Sequence, residues 1–151
     1  MFYDILWTFL ISFSPFGEAR VGIPYGVEHE LPLLLVFIIG LAGNLLVFPI
    51  LYKAIEVANK YLWKHKTYKK GALFLALRAR TKTKNVIKKY GVWGLMVFVM
   101  IPLPITGAYI GTIAAFIFRI NYQKAFLAVS IGITLSSIIV TILWPLLVSI
   151  F

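Results

Sequence analysis

Two long stretches of this 151-residue chain carry no charged side chain: Leu31–Tyr52, with 22 residues, and Ala125–Phe151, with 27. At 1.5 Å per residue the shorter one gives a helix of roughly 33 Å, enough to cross a hydrocarbon core of about 30 Å. Composition decides between a buried core and a bilayer. Some 61% of the residues are hydrophobic and 13% charged, against about 25% charged in soluble domains. The polar shell of a soluble protein of this size is missing, so the expected class is an all-α integral membrane protein. The first residues do not read as a cleavable signal, because they lack a basic start and include Asp4. With no cysteine, thiol catalysis, disulfides and thiolate metal sites are excluded.

Two further apolar segments are broken. Ile5–Phe13 is too short to span before Ser14-Pro15 interrupts it. Trp93–Phe118 is uncharged over 26 residues but contains Pro102, Pro104, Gly107 and Gly111. Between the halves, Lys53–Lys89 holds 12 of the 15 basic residues and one acid, Glu56. Such a cluster marks a cytoplasmic loop. It reads as one or two helices, with Glu56 and Lys60 at i,i+4 and a basic amphipathic part suited to anionic headgroups. Nucleic acid is not an expected partner, since topology already explains the charge. Glu28 and Glu30 flank the first span on the outer side, whereas Arg119 and Lys124 precede the last span on the inner side. Trp93–Phe118 therefore enters and returns on the cytoplasmic side, and residues 2–28 do the same from outside.

The expected architecture is an inverted repeat in a single membrane domain. Residues 1–30 form a re-entrant hairpin, 31–52 a transmembrane helix and 53–90 the basic cytoplasmic linker. Residues 91–118 form the second hairpin and 122–151 the second span, with both termini outside the cell membrane. PFGEARVG (15–22) and PITGAYIG (104–111) align without gaps.

Irregular backbone at membrane depth is tolerated where it is buried in protein or lines a polar cavity. Broken segments in matching places of two inverted halves point to a transport site. SPFGEARVGIPYG and PLPITGAYIG are then its two walls, with Pro15, Gly17, Gly22, Pro24, Pro104, Gly107 and Gly111 shaping them. Glu18 and Arg20 are the ionisable residues within these segments. On a regular helix their spacing turns them about 200° apart, so direct pairing needs irregular backbone. Glu18 is read as a protonatable gate and Arg20 as the holder of an anionic headgroup. The bland alternative is that they only neutralise each other. Thr106 and Tyr109 offer hydroxyls. Asn44 faces the cavity or bonds another helix, and Pro49 is expected to kink its span. His29 and His65 fall in loops without partners at ligand spacing, so no metal or other cofactor is expected. An enzyme would need an activated nucleophile or paired acid and base groups, and Glu18 alone supplies neither. The small-residue stripe Ser130, Gly132, Ser136 and Ser137 suits close packing.

SPFGEARVGIPYG, a span, a basic linker and then IPLPITGAYIGT resemble the small multidrug export protein family, and through it the wider DedA (VTT-domain) superfamily. The resemblance covers nearly the whole chain. It implies two inverted re-entrant hairpins packed on spanning helices, a homodimer, and proton-coupled translocation of lipid phosphates such as polyprenyl phosphate, or of phospholipid. The family name instead implies export of small hydrophobic drugs, and a non-transporting membrane subunit is a further alternative. The family's acidic position maps to Glu18 and its basic one to Arg20. DedA proteins carry arginine in the second hairpin, whereas PLPITGAYIG has none.

Overall fold

The computed structural model describes residues 1–102 and 107–150, and these form helices and connecting turns with no strand among them. Pro104 and Thr106, expected at the site, lie outside the described residues. Helices α1 (Phe2–Phe13) and α2 (Glu18–Glu28) form a hairpin that packs on α3 (Leu33–Leu45). α4 (Val47–Leu62) continues α3 after a break at Leu46. Pro49 explains the break: it has no N–H for the Leu45 carbonyl, and its ring crowds that group. α5 (Lys66–Tyr90) ends at Gly91, whose φ of 59° is the left-handed turn that glycine adopts without strain. α6 (Val92–Met100) and α7 (Ala108–Ile117) form the second hairpin, and α8 (Tyr122–Ile150) closes the chain.

Leu33–Leu62 and Tyr122–Ile150 are long and apolar enough to cross a membrane. The first departs from the expected end at Tyr52 because charge ended the apolar run there, while helix propensity carries the backbone on to Leu62. Within the linker, Glu56 pairs with Lys53 at 3.2 Å rather than with Lys60. The arms α1, α2, α6 and α7 have 12, 11, 9 and 10 residues. At roughly 14–18 Å each, they are about half as long as a 30 Å hydrocarbon layer is thick.

The two hairpin-plus-helix units share their helix stops at a constant spacing. Glu30 follows α2 with φ 58°, and Arg119 follows α7 with φ 51°. The amide of Glu30 donates to the Val27 carbonyl and that of Leu31 to the Gly26 carbonyl. Likewise Arg119 donates to Phe116 and Ile120 to Ala115. Both sets are the paired bonds of a Schellman helix stop, 89 positions apart. α3 and α8 also begin 89 positions apart, at Leu33 and Tyr122. A non-glycine residue in this conformation costs about 1–2 kcal/mol, and here it is charged both times.

Two pairs of glycines set the packing. A side chain at Gly22 would collide with Ser12, and one at Gly43 would meet Ser12 and Phe9. In the second unit Gly111 meets Val99, and Gly132 meets Val99 and Met96. Each first arm is thus clasped between glycines of the next two helices. Within SPFGEARVGIPYG the turn is confined to Ser14–Gly17. Gly22, Pro24 and Gly26 lie inside α2, where the glycines serve close helix contact. The main apolar core joins Val47 and Phe48 to Leu95, Val99, Val129 and Ile133, so it is built from both units.

Candidate functional site: the junction of the two hairpins

The turn Ser14–Gly17 delivers Glu18 as the first residue of α2. Its amide donates to the Ser14 carbonyl at 3.0 Å, and its φ is 53°. This left-handed step breaks the helical phase between Glu18 and Arg20. Glu18 Oε2 therefore lies 3.9 Å from Arg20 Nε, an approach that a continuous helix would forbid. Glu18 is buried, with 3% of its surface exposed.

Each member of the pair meets a broken end of the second hairpin. The Glu18 carboxylate sits at the start of α7, where the Tyr109 amide donates to Oε1 at 3.5 Å and the Ala108 amide also faces it. A helix start carries partial positive charge and unpaired N–H groups, so a carboxylate is stabilised there. Arg20 goes to the opposite pole. Its Nη2 donates to the Val99 carbonyl at 3.1 Å in the last turn of α6, and its Nε donates to Ser136 Oγ of α8 at 3.4 Å. Gly107 makes this crossing possible. A Cβ there would collide with Glu18 Oε2 and lie 2.8 Å from Arg20 Nη2.

Tyr109 makes the return crossing. Its O–H donates to the Phe13 carbonyl at 2.5 Å, satisfying the last residue of α1. Beside the ion pair is a cavity of about 140 Å³, lined by Pro15, Phe16, Gly17, Glu18, Arg20, Val21 and Pro102. It holds a few waters or one compact headgroup, and falls short of the roughly 300 Å³ at which drug-sized sites begin.

Of the residues expected at the site, Pro15, Gly17, Glu18 and Arg20 line the cavity, and Gly107 and Tyr109 touch the pair. Gly22 and Gly111 instead lie against Ser12 and Val99, and Pro24 is buried within α2. Asn44 is buried on α3, and its Oδ1 has no partner among the described residues. Sequence reasoning missed Ser136, which had been assigned to packing, and the Val99 and Phe13 carbonyls. A small hydroxyl one turn beyond Gly132 was the available signal for Ser136. Backbone acceptors carry none. Among the described residues, no three His, Asp or Glu side chains gather as a metal site.

Short helices that stop inside the protein, two long apolar helices and a charged junction between them define the class. It is an all-helical protein with two candidate membrane spans. Residues 18–139 match the family described as small multi-drug export protein, and the chain belongs to that family. The description marks the export activity as provisional. No curated protein and no solved structure matches the chain.

Proposed function

We propose that the protein is a membrane transporter of the DedA-like type that moves a lipid-linked anion, such as a polyprenyl phosphate or a phospholipid, with coupling to protons. In this reading the hairpins are re-entrant and the two units are inverted in the bilayer. The α4–α5 region is cytoplasmic, and membrane lipids and a second copy of the chain are the surroundings. The half-membrane length of the four arms supports re-entry. The observation that carries the function is the cavity beside Glu18 and Arg20. It has the size of a headgroup and is walled by a guanidinium that can meet a phosphate with two parallel bonds. Glu18, in contact with that guanidinium, changes its hold on Arg20 when it takes up a proton. This frees Arg20 for the anion and links the two movements.

The protein in vesicles loaded with a short-chain polyprenyl phosphate tests the reading. Arg20→Lys keeps the charge and loses the two-pronged geometry, so transport is expected to fall at least about tenfold while the fold persists. A neutral analogue should not be carried. Unchanged phosphate transport in Arg20→Lys, or equal transport of the neutral analogue, overturns the proposal.

A second reading follows from the satisfied contacts. Arg20 and Glu18 already cap α6 and α7, which is what a purely structural staple would do. Export of small hydrophobic drugs, the activity in the family's name, would instead require a larger chamber than the cavity at this pair.

A further inference from the structure

A second cavity lies apart from the hairpin junction, between α4, α5 and the end of α7. It is an open-sided cleft of about 640 Å³, within the 300–1,000 Å³ typical of small-molecule sites. Its wall along α4 runs from Leu51 to Trp63, the residue just past the helix end, about 18 Å at helical rise, so it is a slot. Ala54 and Ala58 on α4 and Gly71, Ala72 and Ala76 on α5 leave the space that larger side chains would close. The Tyr68 hydroxyl donates to Asn59 Oδ1 at 2.8 Å and ties the two walls together.

Charge in the slot has one sign. Arg119 lines it, and no carboxylate does among the described residues. Glu56, the acid on α4, is held by Lys53. Arg119 makes no ion pair among the described residues. It also occupies the left-handed stop of α7, where glycine would be unstrained. The backbone at this position thus does not require an arginine, just as it does not require the glutamate at Glu30.

We infer that the slot binds a single-chain amphiphilic anion, with its alkyl chain between α4 and α5 and its carboxylate or phosphate head on Arg119. The shape selects a chain over a compact ring system. The lining disfavours a cation, which would meet the exposed Arg119 and no counter-charge. This inference does not depend on the transport reading, because it concerns a different cavity and is tested by binding.

Trp63 at the end of the slot is a built-in reporter. The full chain, with Trp7, Trp93 and Trp144 changed to Phe, is placed in phosphatidylcholine nanodiscs and titrated with 11-bromoundecanoate, whose bromine quenches tryptophan on contact. The control is 11-bromoundecyl-trimethylammonium. Expected is saturable quenching by the anion, with an apparent Kd at least about tenfold below that of the cation. Arg119→Gly suits the backbone and so preserves the fold, and it should erase that preference. Ala58→Phe on α4 and Ala72→Leu on α5 fill the slot from opposite walls with every charge intact, and either should abolish saturation. Equal quenching by anion and cation overturns the inference. So does an anion preference that survives Arg119→Gly, or one that survives both fillings, which would trace it to the basic linker surface.

Discussion

Arg20 and Tyr109 hold the same position in the two hairpins, 89 residues apart, and each hydrogen-bonds a last-turn carbonyl of the other hairpin's first arm. Arg20 reaches Val99 on α6, and Tyr109 reaches Phe13 on α1. The hairpins are therefore locked by reciprocal crossings between chemically different side chains. A neutral phenol closes in one crossing the contact that a guanidinium closes in the other. This leaves Arg20 as the cation of the junction among the described residues.

Tyr109→Phe tests the neutral crossing. It keeps the ring and removes the donor, so the Phe13 carbonyl loses its partner. A loss of about 1 kcal/mol is expected, the net worth of one such bond. Thermal unfolding of the purified protein should register a lower melting temperature. An unchanged value would mean that water replaces the hydroxyl without cost.

The ion pair predicts a non-additive cycle. Arg20→Gln leaves the buried Glu18 carboxylate without its counter-charge, and removing one partner of a buried pair costs about 3–5 kcal/mol. Glu18→Gln together with Arg20→Gln removes both charges and should recover much of that stability. A double variant as unstable as the sum of the singles would refute coupling between the two side chains.

Glu18→Gln alone separates fold from function. The amide oxygen still accepts from the Tyr109 amide, while the exchangeable charge is gone. The fold should persist at reduced stability, because Arg20 loses its counter-charge, and transport, where assayed across pH, should lose its pH dependence. Wild-type pH dependence in Glu18→Gln would assign the proton step elsewhere.

The glycines predict opposite outcomes for the same substitution. Gly107→Ala drives a methyl into Glu18 Oε2 and crowds Arg20 Nη2, and it should destabilise the protein and disturb the site. Gly71→Ala meets nothing within 4 Å in the second turn of α5. It should raise stability by up to about 1 kcal/mol through helix propensity. Melting temperatures of the two variants, measured side by side, check both signs.

Topology is open to direct measurement, since the chain contains no cysteine. A single Lys70→Cys should be protected from an impermeant thiol reagent in intact cells and react after lysis. Labelling from outside would reverse the orientation proposed for α4 and α5.

The sequence by itself determined what one-dimensional patterns can encode. Uncharged length marked the two long helices, and the Pro/Gly clusters marked two interrupted segments. The gapless alignment of PFGEARVG with PITGAYIG announced the spacing of 89 that the paired helix stops repeat. It also singled out Glu18 and Arg20, because a charge in an apolar segment demands a reason. Only the tertiary structure decided what those charges meet. Among the described residues they meet the ends of α6 and α7, a backbone carbonyl and backbone amides about 80 to 90 positions away, and such groups are identical at every residue. It also decided which side chains Gly22 and Gly111 lie against, Ser12 and Val99, since a glycine that permits close approach does not name its neighbour. The slot at Arg119 was equally invisible, because a cavity is made by what three separate helices leave unfilled.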